Sequence, residues 1–303
     1  MGFILNPLYN IVSGIMIAIH KVLSPIFGAN SGVTWSLSIM GLVVLIRIIL
    51  IPLFVKQIKS QRAMTALQPQ MKAIQAKYKD DRQKQSEEMM KLYKEHKTNP
   101  LASCFPILAQ APVMFALFTV LNGIAHDKPH GFMKGEYLVS AAQAKFFGSP
   151  ISETFLGSDK LTVKIVTIFL IALMSATTFT TQKQLMTKGM PKMDASNNMM
   201  LQQQKIMLYL FPVIFAISGV NFPVGVLIYW STTNLWTWGQ QFYVIKRNPT
   251  PGSPAYEELA RKRAHKAKLD GKELPSEGGS APIEAPKAEG QRQQPKKAKK
   301  KKK

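Results

Sequence analysis

The sequence predicts an all-α, polytopic membrane protein with a core of five transmembrane helices, a cytoplasmic helical hairpin and a disordered basic tail. Three observations carry that class. Hydrophobic residues make up 46% of the 303, yet the formal net charge is +22, a pairing foreign to ordinary soluble domains. The two kinds of residue are segregated, with apolar runs at 33–55, 101–124, 161–180, 206–220 and 222–244 and basic residues crowded between and after them. The longer runs reach the roughly 20 residues that cross hydrocarbon at about 1.5 Å each.

Residues 1–32 form a separate N-terminal element. Its "FILNPLYNIVSGIMIAIHKVLSP" lacks the basic start and small-residue cleavage site of a signal peptide. Around a helix, Asn10, Ser13, Gly14, His20, Lys21 and Ser24 gather on one side with Ile and Leu opposite. That suits a helix lying in the outer interface, with a true span as the alternative.

The core follows at 33–248, and its first span holds a lone cation, Arg47, within "GLVVLIRIILIPLF". Segment 56–97 reads as a helical hairpin. Met64, Leu67, Met71, Ile74 and Tyr78 recur at helical spacing, Pro69 should kink that helix, and Asp80 three residues before Gln83 reads as the cap of a returning helix lined by Met89, Leu92, Tyr93 and His96. Helix connections usually take two to eight residues, so this length favours a partner-binding element over a solvated spacer. Cys104, the one cysteine, reads as a small packing residue and leaves no intramolecular disulfide or cysteine metal site. The fourth and fifth spans meet at "VNFP", a tight helical hairpin at Pro223.

Orientation follows from Lys and Arg, which stay cytoplasmic. Segment 56–97 holds eleven against five acids, the chain from 246 onward seventeen against seven, and loop 126–160 four against four. Loop 126–160 is therefore expected outside and the C-terminus in the cytoplasm of a multi-pass plasma membrane protein. In the tail, 249–303, "NPTPGSP" ends the last helix and "EELARKRAHKAKLDGKE" can form a short basic helix. From Leu274 on, Pro, Gly, Glu, Gln and Lys cannot bury a core. Arg261, Lys262, Arg263, Lys296, Lys297, Lys299 and Lys300 are candidate contacts for ribosomal RNA phosphates or anionic lipid headgroups, unless the tail only fixes topology. No aromatic residues interleave with the lysines, which argues against base stacking.

Counted back from Lys56, Arg47 lies about 13 Å inside the span, roughly twice what its side chain can snorkel. An unpaired Arg there costs about 2.5–3.5 kcal/mol on insertion scales, yet all five spans lack Asp and Glu. They offer neutral polarity instead: Gln110, then Thr177, Thr178 and Thr180, then Ser231, Thr232, Thr233, Asn234, Gln240 and Gln241. Arg47, Gln110, Thr178, Asn234 and Gln240 thus read as lining a wet, positively charged groove. No zinc motif, nucleotide loop, catalytic triad or intramembrane acid is present, so enzymatic catalysis, metal or cofactor binding and ion-coupled transport have no residues to carry them.

The run from "IRIILIPLFVKQIKSQRAMTALQPQMKAIQAKY" through "NPLASCFPILAQAPVMFALFTVL", with the later "FPVGVLIYWSTTNLWTWGQQ", strongly resembles the YidC-type membrane protein insertases of the Oxa superfamily. The likeness covers about 33–248, and the "SQRAM" hairpin is most similar to actinobacterial members. It implies five helices around a hydrophilic groove open to cytoplasm and lipid, in which Arg47 and Gln110 match family positions and Trp230 matches a tryptophan of the fifth span. The large extracytoplasmic domain of Gram-negative members and the lipidated cysteine of many Gram-positive ones have no counterpart. The implied function is to accept nascent membrane proteins in the groove and release their helices into lipid, with or without the Sec translocon, beside a ribosome held by the tail. A membrane-anchored ribosome receptor or scaffold is the competing class.

Overall fold

The computed structural model describes residues 2–96, 98, 105–190 and 198–269. The chain divides into one compact unit, 1–257, and a second, 258–303. In order come α1 (Gly2–Phe27), α2 (Gly32–Ile49), α3 (Ile51–Ala66), α4 (Gln68–Lys77), α5 (Arg82–Glu95), α6 (Phe105–Ala125), α7 (Glu136–Gln143), the strands β1 (Lys145–Phe146) and β2 (Ser149–Pro150), α8 (Leu161–Gln184) with a π-helical turn at Leu185–Gly189, α9 (Asn198–Gly219), α10 (Val224–Arg247) and α11 (Pro254–Leu269). Three stretches are long and apolar enough to cross a membrane: Leu5–Phe27, Gly32–Ile49 and Leu161–Gly189, with shorter apolar helices at Gln110–Ala125 and Leu208–Gly219. Ser231–Asn234, Gln240 and Gln241 place polar residues along much of α10.

Proline sets several boundaries. Pro52 offers no N–H to the Ile48 carbonyl, so α2 stops at Ile49 and α3 resumes at Ile51, bridged by Leu50 N–H to Ile46 O at 3.0 Å and Phe54 N–H to Leu50 O at 3.1 Å. The run expected as one span, 33–55, is thus two helical segments. Pro69 sits in the first turn of α4, where its missing N–H costs nothing. The cap expected from Asp80 is made one residue later: Asp81 Oδ1 accepts the Lys84 N–H at 2.9 Å, while Asp81 lies outside the helical conformation. The hairpin closes through Tyr93 Oη to Met71 Sδ at 3.8 Å and His96 with Gln70 Oε1 at 3.1 Å. The short basic helix that the tail sequence allows begins a little earlier, at Pro254: Ser253 Oγ accepts the Tyr256 N–H at 3.3 Å and α11 runs to Leu269.

The loop end of the bundle, where 126–160 joins α6 to α8, is tied by bonds between distant parts of the chain. α1 packs on α2 and α6, α8 on α9 and α10, and α10 on α2. Trp35, fully buried, donates its indole N–H to Ser140 Oγ at 3.0 Å and stacks on His20 at 4.1 Å. His20 shares a 2.8 Å hydrogen bond with the Ala29 carbonyl, and Ser13 Oγ accepts the Phe132 N–H at 2.8 Å. The first N–H groups of α10, which Pro223 cannot cap, reach loop carbonyls: Val224 to Glu153 at 3.0 Å and Gly225 to Ile151 at 2.8 Å. Glu153 is itself fixed. Burial pushes its carboxyl up, but hydrogen bonds from Lys160 and Ser158 and the charges of Lys160 and Lys145 outweigh that and hold it below the usual range.

β1 and β2 pair antiparallel, Lys145 with Pro150 and Phe146 with Ser149, across a two-residue turn of Phe147 and Gly148. Both have positive φ, +47° and +79°, as a type I′ turn requires. Gly148 adopts this freely, whereas a residue with a β-carbon pays about 1–2 kcal/mol. A β-carbon on Gly32 would overlap the Lys145 carbonyl, so the hairpin lies against the start of α2.

Trp35→Ala empties the tightest part of this end and should lower stability by about 3–5 kcal/mol, read as a large drop in Tm in detergent. Trp35→Phe, which keeps a ring but loses the indole donor while Ser140 keeps its bond to Asn30, should cost about 1 kcal/mol. Equal effects of the two would show that filling the space matters less than the hydrogen bond.

Candidate functional site

Packing is uneven along the helices. On α2 the buried residues run from Thr34 to Val43 and stop, and on α6, among the side chains described from Gln110 on, they begin at Ala116. On α8 they run from Val163 to Thr177, and the next buried residue is Gly189; on α10 they run from Val224 to Ser231 with none further along the helix. The loop end is therefore a close-packed core, built on Trp35, Ile39, Leu42, Leu117, Met174 and Leu227. Toward the other end, where α3 leads into the hairpin, the same helices diverge into half-buried and exposed positions.

Arg47 sits at that transition, half-buried in the last turn of α2. Its guanidinium carbon lies 5.5 Å from the centre of the Phe54 ring, a cation–π arrangement across the α2–α3 break. From α10, Tyr229 lies within electrostatic reach, its hydroxyl hydrogen-bonded to the Thr233 side chain. Among the described residues Arg47 has no carboxylate partner, and Tyr229 supplies the phenol that faces it. An aromatic ring and a neutral hydroxyl do not neutralise a guanidinium.

Buried side-chain oxygens without a hydrogen bond occur at both ends of the bundle: Gln110 on α6, Gln184 at the end of α8 and Ser231 on α10, and also Ser36, Ser149 and Thr167 in the close-packed part. Buried polar atoms are normally satisfied, so each is a place for a water molecule. Asn234 and Thr178 are half-buried. Gln240 is engaged within its own helix, its Oε1 accepting the Trp236 indole N–H at 3.0 Å. Trp230 stands apart in an aromatic group, edge-on to Phe222 at 4.7 Å and to Phe215 at 6.2 Å, with Phe118 against Phe222 at 5.7 Å. No described hydrogen bond or ring contact joins Arg47 to Gln110, Trp230, Thr178, Asn234 or Gln240. Tyr229, adjacent to Trp230, was passed over in the sequence; the signal available was a phenol one helical turn before the Thr233 that holds its hydroxyl.

Of the basic residues singled out beyond the bundle, Lys262 pairs with Glu258 at 2.6 Å along α11, and Arg261 and Arg263 are exposed beside it. Lys296, Lys297, Lys299 and Lys300 lie outside the described residues, as does Cys104. Among the described residues no group of three or more His, Cys, Asp or Glu could hold a metal ion.

A largely helical fold with apolar helices of membrane length, close-packed at one end and more polar about Arg47 at the other, defines a polytopic membrane protein. The chain belongs to the 60Kd inner membrane protein family, whose model matches residues 26–251. It is 56% identical over 253 residues to a membrane protein insertase YidC of Streptomyces avermitilis, a match covering 80% of this chain and 59% of that one. Identity is 37% to the YidC of Tropheryma whipplei strain TW08/27, covering 86% and 89%, and 31% to that of Mycobacterium tuberculosis strain H37Rv, covering 93% and 86%. The chain thus spans about three fifths of the Streptomyces relative and most of the other two. It also resembles a crystal structure of active YidC insertase with the first transmembrane domain resolved, at TM-score 0.50 and 25% identity over 77% of this chain and 46% of that one. The family likeness read from the sequence is borne out, including its actinobacterial relatives.

Because Arg47 holds no ion pair among the described residues, Arg47→Met should leave the Tm in detergent unchanged or raise stability by up to about 1 kcal/mol. A loss of more than about 2 kcal/mol would reveal a structural partner and remove the case for a free cation.

Proposed function

We propose that this chain is a membrane protein insertase. Its polar inner end is a groove that receives the hydrophilic segment of a nascent membrane protein, with no nucleotide consumed. The observation that carries this is the half-buried Arg47, without a carboxylate partner, at the point where bundle packing gives way. The hairpin end faces the cytoplasm and the 126–160 loop the outside, in keeping with the eleven basic residues of 56–97 against the loop's four. The core comprises five spans, α2 with the start of α3, α6, α8, α9 and α10, and α1 lies along the outer interface, held by Ser13 and His20.

A cargo segment then crosses only the sealed half of the bilayer. Arg47 attracts its acidic residues, while Gln110, Thr178, Ser231, Asn234, Gln184 and Tyr229 exchange hydrogen bonds with its backbone and Trp230 borders its path. An inside-negative potential favours outward movement of each negative charge by about 2.3 kcal/mol per 100 mV. The apolar helix that follows leaves sideways into lipid, where its burial supplies the driving force. α4 and α5 form a receiving platform. Arg261, Lys262 and Arg263 with the terminal lysines hold ribosomal RNA or anionic headgroups near it, and a Sec translocon can share the client.

In vesicles reconstituted with full-length protein, Arg47→Ala should reduce insertion of clients with acidic or polar outer segments by about tenfold, the scale of a lost charge interaction of some 1.4 kcal/mol. Ribosome cosedimentation should survive in the same variant. Equal insertion by mutant and parent would sink the groove reading, whereas photocrosslinks from positions 47, 110 and 230 to a stalled nascent membrane protein would support it.

Deleting Leu274–Lys303 removes nine of the seventeen basic residues that follow position 245 and should weaken ribosome binding and flatten its salt dependence. Binding that keeps its strength and its salt slope would refute that role for the tail.

A further inference from the structure

The turn between β1 and β2 places a residue where local chemistry argues against it. Two-residue hairpin turns with both φ values positive strongly favour Asn or Asp before Gly. Here the first position is Phe147, with φ +47° and a ring 81% exposed. Its one ring contact is with its neighbour Phe146, at 4.7 Å, so packing within the protein does not explain an aromatic side chain at a strained site.

The surroundings indicate what the ring meets. A methyl on Gly148 would rest 3.9 Å from Thr162 Cγ2, so the turn lies beside the first residues of α8. From there Leu161, Ile165, Ile168 and Phe169, between 56% and 70% exposed, form one apolar stripe at helical spacing. In a membrane protein that stripe faces acyl chains. At the far end of the helix Lys183 lies over the Phe179 ring at 5.8 Å, the posture of a lysine reaching for a headgroup. From Leu161 to Lys183 the rise is about 33 Å, close to one hydrocarbon thickness of about 30 Å. The hairpin tip therefore stands at the level where that thickness ends, flanked by the exposed ammonium groups of Lys145 and Lys160.

We propose that Phe147 is a membrane anchor: the β1–β2 turn inserts its ring into the headgroup–acyl boundary of the leaflet at the loop end, beside α8, and so fixes the depth of the sealed end of the bundle. The occupant is lipid, because the exposed ring continues the lipid-facing stripe of α8. Lys145 holds the turn at the surface through a lipid phosphate, while Lys160 stays paired with Glu153.

The test uses the full chain in vesicles of phosphatidylethanolamine and phosphatidylglycerol, with Cys104→Ser so that one introduced cysteine carries a nitroxide. With the label at position 147, relaxation by oxygen relative to a water-soluble nickel chelate should approach that of a label at Ile165 and exceed that at Glu136 severalfold. A ratio matching Glu136 overturns the anchor. Phe147→Asn suits the turn backbone, so it should hold or raise Tm in detergent while amide exchange across 145–150 in vesicles quickens by about tenfold. A fall in Tm would make the ring a packing element, and unchanged exchange in vesicles would mean that lipid does not hold the turn; either outcome ends the proposal.

Discussion

Under the proposed function, the structure turns on one guanidinium. Arg47 keeps its proton throughout the physiological range and has no carboxylate partner among the described residues. Close packing around it would leave a buried bare charge, at a cost of several kcal/mol. In that reading the helices stay open about it, in keeping with the buried residues of α2, α6, α8 and α10, which among the described side chains cease before the hairpin end.

If one end stays wet, as proposed, the burden of stability moves to the other. The large buried side chains Trp35, Ile39, Leu117, Met174 and Leu227 occupy the loop end, and the loop that covers them is stitched by Trp35 to Ser140, Ser13 to Phe132 and the first amides of α10 to the carbonyls of Ile151 and Glu153. These bonds satisfy backbone and indole donors that would otherwise be orphaned at a membrane surface. One end is close-packed and the other less so, which is the asymmetry that the proposed one-sided groove needs.

How much of this could be read in the sequence follows from the range of each interaction. The helix at Leu161–Thr180 was legible because apolar periodicity and length are local properties; the periodicity over Met64–Tyr78 was legible too, although the chain there divides into α3 and α4 at Leu67. So was the cation, since one charge in an apolar run stands out without any partner being known. The cap at Asp81 rather than Asp80 turned on a single residue's backbone conformation, and the break at Leu50 on the amide that Pro52 lacks. The seal of the loop end was not legible: Trp35 and Ser140 are 105 residues apart and leave no periodic trace. Trp230 was singled out by likeness, while the geometry turns Tyr229 toward Arg47 and Trp230 toward Phe222. Which face of α10 a residue occupies follows from packing against α2 and α8, not from its neighbours in the chain.

The choice of arginine follows from the same physics. A lysine in this position could escape an unfavourable site by losing its proton, since buried amines shift readily. Arginine cannot, so a bundle that carries it must keep water or an anion beside it at all times. Its planar donors also match a carboxylate two at a time, which gives an acidic cargo residue a better partner than bulk water while it is held below the close-packed end. That match must remain temporary. A fixed Asp or Glu on a neighbouring helix would satisfy the guanidinium permanently, allow the helices to close, and remove both the water and the attraction. Under the proposed function, the absence of intramembrane acids is therefore as much a part of the site as Arg47 itself.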